Sequence, residues 1–177
     1  MTRTISLLLI PFGLLFFLTI YATANEKPRP YEELYPEIGY KTVEEALEDF
    51  EQHFKQRPKL PLRVPPISFT HHFGRFNDLD GDMNDSFEVT FINDQISKNH
   101  YTIDIRPIKN KIPIREKYVI KTFDLKNGIA ATYITTSGFY VLVFEQDDWQ
   151  YMLSIDKRVS DQVTPETLLE IANSIDS

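Results

Sequence analysis

The stretch Asn77-Asp78-Leu79-Asp80-Gly81-Asp82-Met83-Asn84-Asp85 gathers carboxylate and amide oxygens on one short segment, and Glu88 follows just beyond it. Calcium takes about six to eight such oxygens from a flexible turn. No Lys or Arg occurs between Phe76 and Ser97. Asp78, Asp80 and Asp82 are therefore the candidate calcium ligands. The register departs from the helix–loop–helix calcium loop. With Gly81 at the pivot, Asp78 and Asp80 fall on ligand positions, but the first position is Phe76 and the last is Phe87. A polar connection built around Asp80-Gly81 accounts for the same residues.

The four histidines are His53, His71, His72 and His100. None shows the HxH or HExxH spacing that chelates a metal from one element. His71 and His72 are adjacent on an expected strand and so point to opposite faces. His71 falls in the apolar register, as a packed histidine would. The basic residues concentrate in one run: Arg106, Lys109, Lys111, Arg115, Lys117 and Lys121, with Glu116 as its acid. Lysines and prolines in such a run keep a sheet edge soluble. The sharper reading is a partner-binding patch of Arg106, Lys109, Lys111, Arg115 and Lys117 that faces an envelope protein, anionic lipid headgroups or a wall polymer.

Other chemistry is excluded by type. The chain has no cysteine, hence no thiol nucleophile, redox pair or Cys-ligated zinc. It has no GxSxG elbow, no phosphate-cradling glycine loop and no Ser-x-x-Lys pair at a helix start. No cofactor is expected and no enzyme is read. Paired carboxylates in a polar pocket, or a His–carboxylate contact, would be the sign of catalysis. With 26 Asp+Glu against 19 Lys+Arg, the net charge of −7 argues against nucleic acid as a partner.

These residues need elements to position them. Thr42 and Glu45 form a capping box, and Val43, Ala46, Leu47, Phe50 and Phe54 then recur at helical spacing until Pro58 and Pro61. From Val64 the period changes to two. Alternation over Ile67–Phe73, Phe87–Phe91 and Tyr101–Ile105 predicts three strands. Lys117–Leu125, Ile129–Thr136, Phe139–Gln146 and Trp149–Ile155 predict four more. Asn127-Gly128, Ser137-Gly138 and Asp147-Asp148 mark the turns of an antiparallel meander. Thr164 caps a last helix with Pro165 in its first turn, and Leu168, Ala172 and Ile175 share one face. The expectation is an α+β fold: a curved antiparallel sheet of about seven strands, with an N-terminal and a C-terminal helix packed on one face.

Residues 1–24 read as a signal peptide or membrane anchor. Arg3 precedes an apolar run, Ile5 to Ala24, that ends in the small residues Ala22 and Ala24. The run holds enough residues to span a bilayer if it is retained. Either reading places the rest outside the cytoplasm, secreted or tethered. Residues 25–40 read as a Pro- and Tyr-rich linker in which Pro28, Pro30 and Pro36 deny regular helix. Residues 41–177 then form a single domain.

The strand from Trp149 through Tyr151-Met152-Leu153-Ser154, followed by Thr164-Pro165-Glu166-Thr167-Leu168-Leu169, resembles an uncharacterised extracytoplasmic domain of Gram-positive bacteria. The resemblance covers roughly Ile129 to Ser177. It implies a fold akin to the lipoprotein-localisation-factor type and brings no catalytic residues. The resulting expectation is a non-catalytic binding module of the cell envelope. The alternatives are a carrier with an apolar cavity under the sheet, or an enzyme of unrecognised type.

Overall fold

The computed structural model describes residues 29–78 and 84–175. The segment 1–24, the first residues of the expected linker, and Asp80 and Asp82 lie outside them. Three helices and seven strands follow one another: α1 (Tyr31–Glu37), α2 (Val43–Phe54), β1 (His71–Asn77), β2 (Ser86–Ile92), β3 (His100–Pro107), β4 (Val119–Asp124), β5 (Ala130–Thr135), β6 (Phe139–Gln146), β7 (Trp149–Asp156) and α3 (Pro165–Ala172). The strands make one antiparallel sheet in the order β1-β2-β3-β7-β6-β5-β4. The fold is α+β with a single curved sheet.

Alternation separates the two faces of that sheet. Across the strands, Phe76, Phe87, Ile105, Tyr151, Phe144 and Ala131 stand in one register row, and Gly74, Val89, Ile103, Leu153, Leu142 and Tyr133 in the next. Most of these side chains are fully buried. On this face α2 inserts Phe50, whose ring lies 4.7–5.8 Å from those of Phe54, Phe76, Phe87 and Trp149. From α3 and the residues beyond it, Leu168, Ile171, Ala172 and Ile175 join the same core.

Helix α2 starts where the sequence predicts. The Thr42 hydroxyl accepts the Glu45 N–H, while the Glu45 carboxylate accepts the Thr42 N–H at 3.1 Å. Such caps contribute on the order of 1 kcal/mol. It ends earlier than the prolines suggest, at Phe54, because Lys55 turns left-handed (φ 57°) and donates its N–H to the Glu51 carbonyl. Its close seat depends on Gly74. A Cβ there would meet the Val43 Cα at 2.7 Å and the Thr42 carbonyl oxygen at 2.9 Å. The N–H and C=O of Gly74 also pair with those of Lys41.

Three local expectations are corrected. The prolines of residues 25–40 do not exclude helix: α1 runs Tyr31–Glu37, with Pro36 inside its last turn. Pro36 has no N–H to offer the Glu32 carbonyl, so this short helix forgoes one bond and relies on its contacts with β1. The first strand begins at His71, and Ile67 and Phe69 precede it as irregular chain packed on the core. The Asn127-Gly128 turn is also not the two-residue type. Only Gly128 is left-handed (φ 82°), and Lys126, Asn127 and Gly128 together span the gap from Leu125 to Ile129. A single left-handed glycine after an ordinary turn is the three-residue solution.

Candidate functional site

The second face of the sheet carries a different row. Arg75, Glu88, Asp104, Met152, Val143 and Thr132 stand across the strands in one line. Phe73, Thr90, Thr102, Ser154, Val141 and Ile134 stand in the line beside it. Only the ends of this face are covered. At the β1 end, α1 lays Tyr35 flat on Phe73, with ring centroids 4.5 Å apart. At the far end, the chain after β3 is strapped down by Gln150, a fully buried side chain. Its amide oxygen accepts the Ile112 N–H at 2.8 Å and its NH₂ donates to the Ile112 carbonyl at 3.0 Å. Ile114 then packs on Ile134, Val141 and Val143.

Between the two covers lies an open cleft of about 380 Å³. Its floor is Thr90, Thr102 and Ser154, and its walls include Tyr35, Tyr40 and Phe139. This volume is within the range of small-molecule sites, roughly 300–1,000 Å³. His100 sits in the floor, its Nε2 at 3.2 Å from both the Thr90 and the Thr102 hydroxyls. The Phe139 ring meets it edge-on at 5.6 Å. Burial lowers the His100 pKa, against the pull of Glu88 and Asp156.

Glu88 and Asp104 are direct cross-strand partners. Two carboxylates so placed repel one another. Each is answered by an arginine. Arg75 donates to Glu88 at 3.2 Å, and Arg106 holds Asp104 through Nε and Nη2 at 2.9 and 2.7 Å. The Tyr40 hydroxyl also donates to Glu88, and the Arg75 guanidinium lies over the Tyr40 ring at 4.4 Å. Burial, then this hydrogen bond, push the Tyr40 phenol well up. Burial likewise raises the Asp104 pKa, and Arg106 pulls it back. The cleft margin is thus dense in charge but internally compensated.

The residues singled out from sequence are dispersed. Arg106 is engaged with Asp104 on the open face. Lys111 pairs with Glu145, Lys109 lies over the Phe54 ring, and Lys117 over Tyr118. Arg115 leads into the short turn Glu116–Tyr118. Asp78 closes β1, where it comes together with His53 and Asp85, a partnership that no spacing signals. His71 is packed between Tyr31 and Phe73, and its Nε2 meets Glu32 at 2.9 Å. His72 points the other way and stacks on Phe91.

Sequence reading missed Tyr40, Glu88, Thr90, Thr102 and Ser154 as a group. The signal for the strand members was present in the alternating polar residues of β2 and β3 and in Ser154 of β7, strands that turn out to be neighbours. The chain matches no family model, no curated protein and no solved structure.

Proposed function

We propose that the protein is a non-catalytic binding module of the cell envelope, exported or tethered by residues 1–24. Its open sheet face would hold a hydroxyl-rich wall polymer. The observation that carries this reading is the cleft between α1 and Phe139, where Thr and Ser hydroxyls and the His100 imidazole form the floor and aromatic rings form the walls. Thr, Ser and His groups can each donate or accept, as a polyhydroxyl ligand requires. Aromatic rings offer flat apolar surface to the C–H faces of a sugar. An ionic ligand gains less here, because Glu88 and Asp104 already have Arg75 and Arg106. Paired carboxylates (Glu88 with Asp104) and His–carboxylate contacts (His71–Glu32, His53–Asp85) keep the enzyme alternative open, but Glu88 and Asp104 are each held by an arginine, and binding is the reading we prefer.

The carrier alternative has less support. The space between the sheet and helices α2 and α3 is filled by Phe50, Phe87, Phe144, Tyr151 and Leu168. Among the described residues no helix is long and apolar enough to cross a membrane, and residues 5–24 lie outside them.

Calorimetric titration with a soluble N-acetylglucosamine tetramer tests the proposal. Heat of binding that disappears in Thr102→Val and His100→Ala, with melting temperatures within about 2 °C of wild type, is the expected result. Unchanged heat in both variants, or none in wild type with this and a teichoic-acid-type polyol, would remove it. Release of shortened sugars during the titration would favour the enzyme alternative.

A second reading rests on the sheet edge. Tyr118, just before the outermost strand, and Val119 and Ile120 at its start are exposed, Ile120 at 51%, and Lys117 and Lys121 flank them. Apolar tips among lysines suit an anionic lipid surface. Sedimentation with vesicles containing phosphatidylglycerol, lost in Ile120→Asp, would support it. Sedimentation unchanged by that substitution would count against it.

A further inference from the structure

Three metal-ligand atoms converge where β1 ends and β2 begins. His53, in the last turn of α2, places Nε2 at 3.2 Å from the Asp85 carboxylate. Asp78 brings a third, and the three ligand atoms lie within 4.8 Å of one another. The Asp85 side chain is 0% exposed, whereas His53 and Asp78 are open to solvent. The ring of His53 is itself held against Phe54 and Phe76, at 4.6 and 5.2 Å.

We propose that His53, Asp78 and Asp85 form a binding site for a divalent metal ion of the Zn²⁺ class. An ion pair between one imidazole and one carboxylate needs a single acid. Here two carboxylates approach the same imidazole nitrogen, and one of them is wholly buried. Their mutual repulsion falls when a doubly charged cation sits between them. Ligands held at about 2.0–2.1 Å from one tetrahedral ion stand roughly 3.3 Å apart. His53 and Asp85 already stand near that spacing at 3.2 Å, and the Asp78 ligand atom lies within 4.8 Å of both.

The donor set selects the metal. One imidazole nitrogen with two carboxylate oxygens suits Zn²⁺, whereas Ca²⁺ takes about six to eight oxygens. The site therefore differs from the Asp78, Asp80 and Asp82 set that the sequence offers for calcium. It shares only Asp78 and draws its other ligands from α2 and the start of β2. A bound ion would clip the end of α2 to the β1–β2 hairpin, so binding and stability are coupled.

The test uses the untagged full-length chain in mild detergent, stripped with chelator and titrated separately with Zn²⁺, Mn²⁺ and Ca²⁺. At a hundredfold excess over the dissociation constant, Zn²⁺ should raise the melting temperature by about 5 °C or more. The rise should vanish in His53→Gln and in Asp78→Asn, each read against its own metal-free melting temperature. It should persist in an Asp80→Asn/Asp82→Asn double variant. Substituted Co²⁺ should show visible d–d absorption that is lost in His53→Gln. No stabilisation by Zn²⁺, or a rise that survives His53→Gln, would overturn the proposal. So would stabilisation by Ca²⁺ alone that is lost in the double variant, which would restore the loop reading.

Discussion

The two faces of one sheet differ in what they carry. On the packed face, the row from Phe76 to Ala131 is apolar from edge to edge and meets Phe50 and α3. On the open face, the row from Arg75 to Thr132 begins with three charges on three adjacent strands. A face meant only for solvent has no reason to set Glu88 opposite Asp104, since that pairing costs stability unless arginines offset it. A face meant only for packing would not leave its middle third uncovered. The difference teaches that the packed face maintains the fold, while the open face holds groups in place at some cost to it.

The comparison breaks first, if it breaks, at Phe50. Phe50→Ala should destabilise by about 3–5 kcal/mol, because the ring is buried among four others. Denaturant unfolding measures it, and a loss under about 1 kcal/mol would mean that α2 contributes little to the core. Gly74→Ala, on the same face, should cost about 1–3 kcal/mol by driving α2 off backbone atoms that cannot retreat. Thr102→Ala, at a half-buried position of the open face, should cost less than either, so that the ordering of the three sharpens the contrast.

The packed face has one flaw that predicts a gain. The Tyr101 hydroxyl is buried and, among the described residues, has no hydrogen-bond partner. Burial pushes its phenol far up. Tyr101→Phe should stabilise by about 1 kcal/mol in the same assay. A clear loss would mean that the hydroxyl has a partner after all.

The smallest effect is a pH dependence from the open face. Burial lowers the His100 pKa below its ordinary 6.5. The unfolded chain then binds the proton more readily than the folded one, so this contribution is complete above pH 6.5. It is lost as the pH falls through the lowered folded value. Melting temperatures should decline over that interval, and His100→Gln should flatten the decline. Asp104 acts in the opposite sense at lower pH. Its raised carboxyl makes protonation favour the fold, and that stabilisation is lost as the pH climbs back through its folded value.

Much of the fold was legible because period and capping are local. Thr42 and Glu45, the alternation of the strands, and Thr164-Pro165 each declare an element without outside help. Helix α1 was not legible, because what holds it is Tyr35 on Phe73 and His71 against Glu32, contacts made across the fold. The site was less legible still. Glu88 and Asp104 look like ordinary solvent-facing strand residues until β2 and β3 are paired in register. Gln150 looked like any polar strand residue, yet it fixes Ile112 from 38 positions away. The convergence of His53 with Asp78 and Asp85 likewise depends on where α2 ends against the hairpin.

The central claim is that the open face takes the ligand and the packed face does not. Backbone amide chemical shifts followed by NMR during titration with the N-acetylglucosamine tetramer test it directly. The account predicts shifts concentrated at Tyr40, Thr90, His100, Thr102 and Ser154, with Val89, Ile103 and Leu153 on the reverse side unmoved. Shifts centred on α2 and α3, or spread evenly over both faces, would contradict it.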